Sequence, residues 1–344
     1  MRTLLVTRPD DWHVHFRDHM ALQHTVIATA KHFARALIMP NLQPALITMA
    51  SVIAYRQRII AALPDALNFI PYMTLYLNES VQPEDLEQSA AHPFILGAKF
   101  YPAGATTHSE EGARSIRQLY PLLEIMQKNE LVLQIHGEVT HGDIFLRETK
   151  FISDYLIPLT RDFPKLRIVL EHISTRAAVE FVTQAPDTVS ATITPHHILY
   201  NRNHLLAGGI RPHYYCLPIL KQLCDQKAVL HAAVSGNQKF FAGTDSAPHS
   251  QSRKESACGC AGIYSAPFAL ALYAKAFDDI DKLPKLNDFM STFGAKFYRL
   301  PITTEHIELI KQPQIIPQTL PFERDQVVPI AAGTTLQWSV HESN

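Results

Sequence analysis

Short apolar or β-branched segments recur along this chain, separated by longer stretches of helical spacing, and this alternation limits the fold more than any other feature. Eight segments read as strands: Asp11 to His15, Ala36 to Pro40, Asn68 to Leu75, Ile95 to Tyr101, Leu131 to His136, Leu166 to His172, Val189 to Pro195 and Lys239 to Asp245. Between them the apolar positions fall at helical intervals, as in Ile47 to Leu63 and Gly112 to Lys128. Eight β/α units over about 290 residues predict an α/β chain folded as a (β/α)8, or TIM, barrel of parallel strands. A doubly wound sheet is the competing architecture, but no G-x-G-x-x-G follows the first strand to support it. No interdomain linker or internal repeat interrupts the pattern. The expectation is one domain over 1–344, with a Pro-rich extension from about 301 to 344 forming short strands on the barrel.

A parallel barrel places its chemistry at the C-terminal ends of its strands, so the polar residues that close each apolar run are the candidates for function. His13 and His15 close the first run, two residues apart and therefore on one face of a strand, with Arg17 just beyond. Asn41 follows the second, Lys99 lies in the fourth, His136 and His172 end the fifth and sixth, and Asp245 ends the eighth. Four imidazoles and a carboxylate at one end of one sheet make the donor set of a two-metal site. Lys99 fits that company as a neutral amine, which reacts with carbon dioxide to give an anionic carbamate able to bridge two cations.

Charge narrows the substrate. Lys plus Arg (31) and Asp plus Glu (32) almost cancel, and charged residues make up only 18%, so no basic face for nucleic acid stands out. No apolar run reaches the ~18 residues of a membrane span, and the interrupted opening run is no signal peptide. A soluble, cytoplasmic protein acting on a small neutral or anionic molecule is expected. The four cysteines, Cys216, Cys224, Cys258 and Cys260, do not have the spacing of a zinc knuckle or a disulfide framework and read as reduced thiols.

With these residues in view, the chain resembles the amidohydrolase superfamily and, within it, the compact bacterial dihydroorotases. The resemblance rests on Asp11-Trp12-His13-Val14-His15-Phe16-Arg17-Asp18, Met39-Pro40-Asn41, Gly97-Ala98-Lys99-Phe100-Tyr101-Pro102, His136-Gly137-Glu138 and Glu171-His172-Ile173. Downstream it continues through Asn201-Arg202-Asn203-His204, Gly243-Thr244-Asp245-Ser246-Ala247-Pro248-His249 and Lys254 to Gly262. It implies two zinc ions per subunit: His13, His15 and Asp245 on one, His136 and His172 on the other, with N6-carboxylated Lys99 and a hydroxide bridging them. It further implies reversible interconversion of L-dihydroorotate and N-carbamoyl-L-aspartate in pyrimidine biosynthesis, with Asp245 as base and then acid. Arg17, Asn41 and His249 would clamp the substrate carboxylate, and backbone groups of Leu217 and Ala261 would meet its amide edge. A homodimer is the expected assembly.

The segment Gly104 to Gly112 is small, polar and glycine-bounded, and the resemblance makes it a lid closing through Thr106 and Thr107. Composition alone reads it as a solvated surface loop, and Gly104 stands where a larger polar residue is expected. His196, His197, His204 and His213 read as packing or supporting residues. Two other functions share the scaffold: a hydantoinase-like cyclic amidohydrolase, whose neutral substrates need no carboxylate clamp, and a catalytically dead barrel kept as a structural partner. The intact donor set speaks against the second.

Overall fold

In the computed structural model, which describes residues 2–341, the alternation read in the sequence becomes a barrel. After an opening strand β1 (Thr3–Thr7) come β2 (Asp10–Val14), β3 (Arg35–Ile38), β4 (Ile70–Leu77), β5 (Ile95–Phe100), β6 (Val132–Ile135), β7 (Ile168–Leu170), β8 (Val189–Ile193) and β9 (Phe240–Ala242). Strands β2 to β9 form one eight-stranded sheet in sequence order, every neighbouring pair parallel. The ring closes just beyond the last ladder residues of β9. A parallel bridge joins Val14 to Ser246, the Asp245 N–H donates to the His13 carbonyl at 2.8 Å, and the His15 N–H donates to the Ser246 carbonyl at 3.1 Å.

Strand periodicity sorts the side chains into two populations. Ala36, Ile38, Leu133, Ile135, Ile168, Leu170, Phe240 and Ala242 pack outward in the main core beneath the helices. Their alternates Leu37, Val132, Val169 and Phe241 join Trp12 and Tyr72 in a second cluster, together with Ala295 and Tyr298 from the chain after the barrel. Lys99 lies between Ala98 and Phe100, both in the outer core, and so shares the opposite face.

The intervening helices begin where local chemistry allows. Helix α1 (Leu22–Ala30) follows a 3-10 turn capped by the Asp18 carboxylate. Helix α2 (Met49–Ala61) opens on a reciprocal Thr48–Ser51 capping box, and Val52, Tyr55 and Ile59 are its buried stripe. In the stretch 112–128 only the second half is α-helix (Tyr120–Lys128). A 3-10 turn at Ile116–Leu119 precedes it, because Pro121 fits a first helical turn and not an interior.

The tail forms β10 (His306–Ile310), β11 (Gln314–Ile315), β12 (Leu320–Phe322), β13 (Asp325–Val327), β14 (Thr335–Leu336) and β15 (Ser339–Val340). Strand β10 pairs antiparallel with both β1 and β15, while β11 pairs with β14 and β12 with β13.

Trp12 sits on β2 beside His13, buried and stacked on Tyr298 with ring centroids 4.6 Å apart. It leaves no room for a side chain at Gly294, where a Cβ would fall 2.0 Å from the indole Nε1. Gly294→Ala is therefore expected to destabilise the fold by about 2–3 kcal/mol through overpacking. The check is the urea midpoint, and an unchanged midpoint would show that the indole can move aside.

Candidate active site

The side chains singled out at the strand ends converge on one pocket. His15, Arg17, Asn41, Thr106, Thr107, His136, His172, Leu217, Asp245 and Ala261 all line it. A larger groove of about 620 Å³ lies elsewhere, between α1 and the C-terminal strands, and contains none of them. Chemistry, not size, identifies the site.

Three donors are drawn together at the closure of the barrel. His13 Nε2 lies 3.2 Å from His15 Nε2, and Asp245 Oδ1 lies 3.1 Å from His15 Nε2 and 3.4 Å from His13 Nε2. A tetrahedral zinc with bonds of ~2.0–2.1 Å needs ligand atoms roughly 3.3–3.4 Å apart. Three edges of that size, with no donor hydrogen required between them, fit a cation. Histidines 136 and 172 stand beside this group, their ring centroids 4.8 Å from one another, with His172 5.0 Å from His13.

Burial prepares these groups to be ligands. It pushes His15 down to about 3 and lowers His136 and His172 as well, so all three imidazoles are neutral near pH 7. Burial alone would raise the Asp245 carboxyl, but the hydrogen bond with His15 and the proximity of His13 and His15 bring it well below the ordinary carboxylate range.

Lys99 has no solvent exposure, and its Nζ has no hydrogen-bond partner among the described residues. Burial pushes its ammonium down to about 8, against the raising influence of Glu171 and Asp245. A buried cation with no acceptor is expensive. His172 Nδ1 and Asn41 Oδ1 are likewise buried without partners. Together these orphaned polar atoms suit a site that holds charged species.

Backbone strain aims several of the residues. Arg17, His172 and Asp245 have φ of 60°, 43° and 45°, the left-handed region that costs a non-glycine residue about 1–3 kcal/mol. His172 and Asp245 follow the last ladder residues of β7 and β9, so the strands are shorter than the apolar runs suggest, and the turn points each side chain across the barrel mouth.

Around the rim, the Arg17 Nε–H donates to the Pro248 carbonyl at 2.9 Å, and its Nη2 lies 3.0 Å from His249 Nε2. Tyr55 donates its hydroxyl to the Arg17 carbonyl. Burial, then Arg17, keep His249 neutral. The segment holding Thr106 and Thr107 folds over the pocket instead of standing in solvent. The Thr107 hydroxyl donates to the Ala261 carbonyl at 3.0 Å, and the Asn41 amide donates to the Thr107 carbonyl at 3.0 Å. Gly104 has φ of 76° with open space around its missing Cβ, a left-handed position that asparagine also tolerates.

Four buried residues that the sequence reading gave no role hold this centre. Glu171 Oε2 accepts hydrogen bonds from the His13 Nδ1–H at 2.8 Å and from the Thr192 hydroxyl at 2.5 Å, which leaves His13 Nε2 as the lone-pair nitrogen. Asp11 accepts from the Thr244 hydroxyl at 2.6 Å, from the Thr244 N–H at 2.8 Å and from the His13 N–H at 3.2 Å. Acidic residues inside otherwise apolar strand runs were the available signal, since unpaired carboxylates are seldom buried.

The remaining histidines divide. His197 spans Thr194 and the Pro218 carbonyl, His204 closes a capping box with Asn201, and His213 lies 3.0 Å from Glu255. His196 is fully buried with neither ring nitrogen paired among the described residues. All four cysteines are free.

Comparison with known proteins agrees with this chemistry. Residues 10–335 match the amidohydrolase family. A dihydroorotase of Nitrosococcus oceani is 53% identical over 342 residues, covering 99% of each chain. The crystal structure of dihydroorotase from Campylobacter jejuni is 34% identical, covers 99% of this chain and 98% of its own, and superposes with a TM-score of 0.91. Dihydroorotase from Saccharomyces cerevisiae in complex with 5-fluoroorotic acid is 33% identical, with 99% of each chain covered and a TM-score of 0.90.

Proposed function

The chain belongs to the amidohydrolase family and to the dihydroorotases within it, and from that premise we propose that it interconverts L-dihydroorotate and N-carbamoyl-L-aspartate at a binuclear zinc centre. The observation that carries the reading is that the Arg17 guanidinium, 3.0 Å from His249, lines the same pocket as His15 and Asp245 of the His13–His15–Asp245 donor group.

His13, His15 and Asp245 would hold one zinc and His136 and His172 the other, with Lys99 as its carbamate between them. Two neutral imidazoles and one anion suit each metal. Forming the carbamate joins the neutral Lys99 amine to carbon dioxide with loss of a proton, which turns an orphaned buried amine into an anion between cations. Bound zinc supplies Lewis-acid polarisation of the amide carbonyl and lowers the pKa of water towards neutrality.

The residues of the chain do the rest. Arg17 presents a planar fork of donors to the substrate carboxylate, with Asn41 and neutral His249 completing the clamp. Leu217 and Ala261 offer backbone groups to the amide edge of the ring, and Thr106 and Thr107 cover the substrate and exclude water. Asp245 takes the proton of the attacking water and returns it to the departing ring nitrogen, so one carboxylate acts as base and then as acid. A hydantoin-type substrate would leave the clamp without a partner. We propose further that residues 1–344 work as one catalytic unit, in the cytoplasm and as a homodimer.

An ultraviolet assay of dihydroorotate opening, paired with metal analysis of the purified protein, tests this function. Arg17→Met is expected to raise KM about 10- to 100-fold, the worth of a charge-assisted bidentate contact, while zinc content is unchanged. Loss of both metals in that variant would contradict the assigned role.

A further inference from the structure

Lys254 is the last residue of the short helix Gln251–Lys254 and is only 3% exposed. Its Nζ donates to the carbonyls of Tyr215, Cys260 and Gly262, each at 2.8 Å. An ammonium has three N–H groups, so its capacity is filled by main chain alone. The acceptors belong to two segments far apart in sequence. Tyr215 lies in the long connection between β8 and β9, and Cys260 and Gly262 lie in the loop after β9.

These segments present Leu217 and Ala261 to the pocket. The Gly262 N–H also donates to the Tyr215 carbonyl at 3.0 Å, so Lys254 caps a junction where the two chains touch. One residue of the junction sits in a costly conformation and another is open only to glycine. Cys260 has φ of 32°, in the left-handed region, and Gly262 has φ of 153° with the Ala247 carbonyl 2.4 Å from where a Cβ would stand. A backbone held in such conformations persists only if its surroundings over-determine it. The Ala261 carbonyl between them receives the Thr107 hydroxyl at 3.0 Å and lies 3.1 Å from His249 Nε2.

We infer that Lys254 is a positioning residue for substrate binding, its ammonium fixing the two backbone segments that carry Leu217 and Ala261 so that they meet the amide edge of the ring together. This rests on the functional reading above, in which those two backbone groups touch the substrate.

The charge of the clamp brings a dependence on pH. Burial lowers the Lys254 ammonium to about 8, with Cys216, Cys260 and Cys258 favouring its charge and Arg17 opposing it; His249 and His196 also face the ammonium, and the Tyr215 ring lies 5.6 Å away. Above that pH a neutral amine has two N–H groups for three carbonyls, and its lone pair faces the third.

In zinc-replete protein, Lys254→Met is expected to raise KM for dihydroorotate about tenfold and to lower kcat by less than about threefold, with metal content unchanged. Wild-type KM should climb as pH passes about 8, while that of the variant stays flat. A variant KM within about twofold of wild type, rising with pH in parallel, would overturn the inference. If Lys254→Met does not fold, Lys254→Arg carries the same test, because a planar guanidinium cannot meet three carbonyls arranged around one nitrogen. Wild-type KM and pH profile in that variant would overturn the inference equally. Wild-type protein that binds zinc yet never turns over dihydroorotate would remove the functional reading, and this inference with it.

Discussion

Asp245→Asn is expected to lower kcat by about a thousandfold or more, equivalent to about 4 kcal/mol in the barrier, while KM changes little. The substitution is close to isosteric and keeps an oxygen that can face His13 and His15. It also suits the local backbone, since φ at this position is 45° and asparagine enters the left-handed region about as readily as aspartate. What it removes is the negative charge and the ability to carry a proton. In the folded protein the depressed carboxyl remains ionised well into the acid range, so wild type has a base available at neutral pH, whereas an amide has none at any pH. Steady-state kinetics with zinc analysis checks this. Turnover within about tenfold of wild type at full metal content would show that the proton moves by another route.

The parts of this site that were readable in the sequence are those whose position follows from local order. His13 and His15 share a face because strand side chains alternate, and their Nε2 atoms do lie 3.2 Å apart. His136 directly follows β6, so ending its apolar run was enough to put it at the barrel mouth. Contacts made by barrel closure were not readable. Only the family resemblance, and nothing local, brought Arg17 together with His249, 232 positions away, and nothing announced that Thr244 would meet Asp11 across the seam. Strand β1 escaped notice for a similar reason. It pairs with β10 from the far end of the chain, and Leu5, apolar yet 65% exposed, hides the polar/apolar alternation that marks a half-buried strand. The opposite error occurred at His172 and Asp245, where apolar runs continue past the last ladder residue and the left-handed turns that aim the side chains leave no periodic trace.

Lys99→Ala is expected to lose at least one zinc per subunit and to reduce activity by about a thousandfold or more. Lys99 is the one member of the site whose unmodified side chain fits poorly. It is fully buried, bears a nitrogen without a partner among the described residues, and stands with His136, His172 and Asp245 around it. As an ammonium it would repel two divalent cations. As a carbamate it would supply the anion that two imidazoles at His136 and His172 would not, and alanine would leave those two proposed ligands holding a cation alone. With carbon dioxide as the source of the proposed carbamate, metal-free wild type should regain activity faster when zinc is returned with bicarbonate than in buffer purged of it. The Lys99→Ala protein should show no such difference, and 13C-labelled bicarbonate should give a carbamate carbon resonance in wild type only. Full zinc and full turnover in Lys99→Ala, or wild-type recovery indifferent to bicarbonate, would remove the carbamate and leave the second metal without a sufficient donor set.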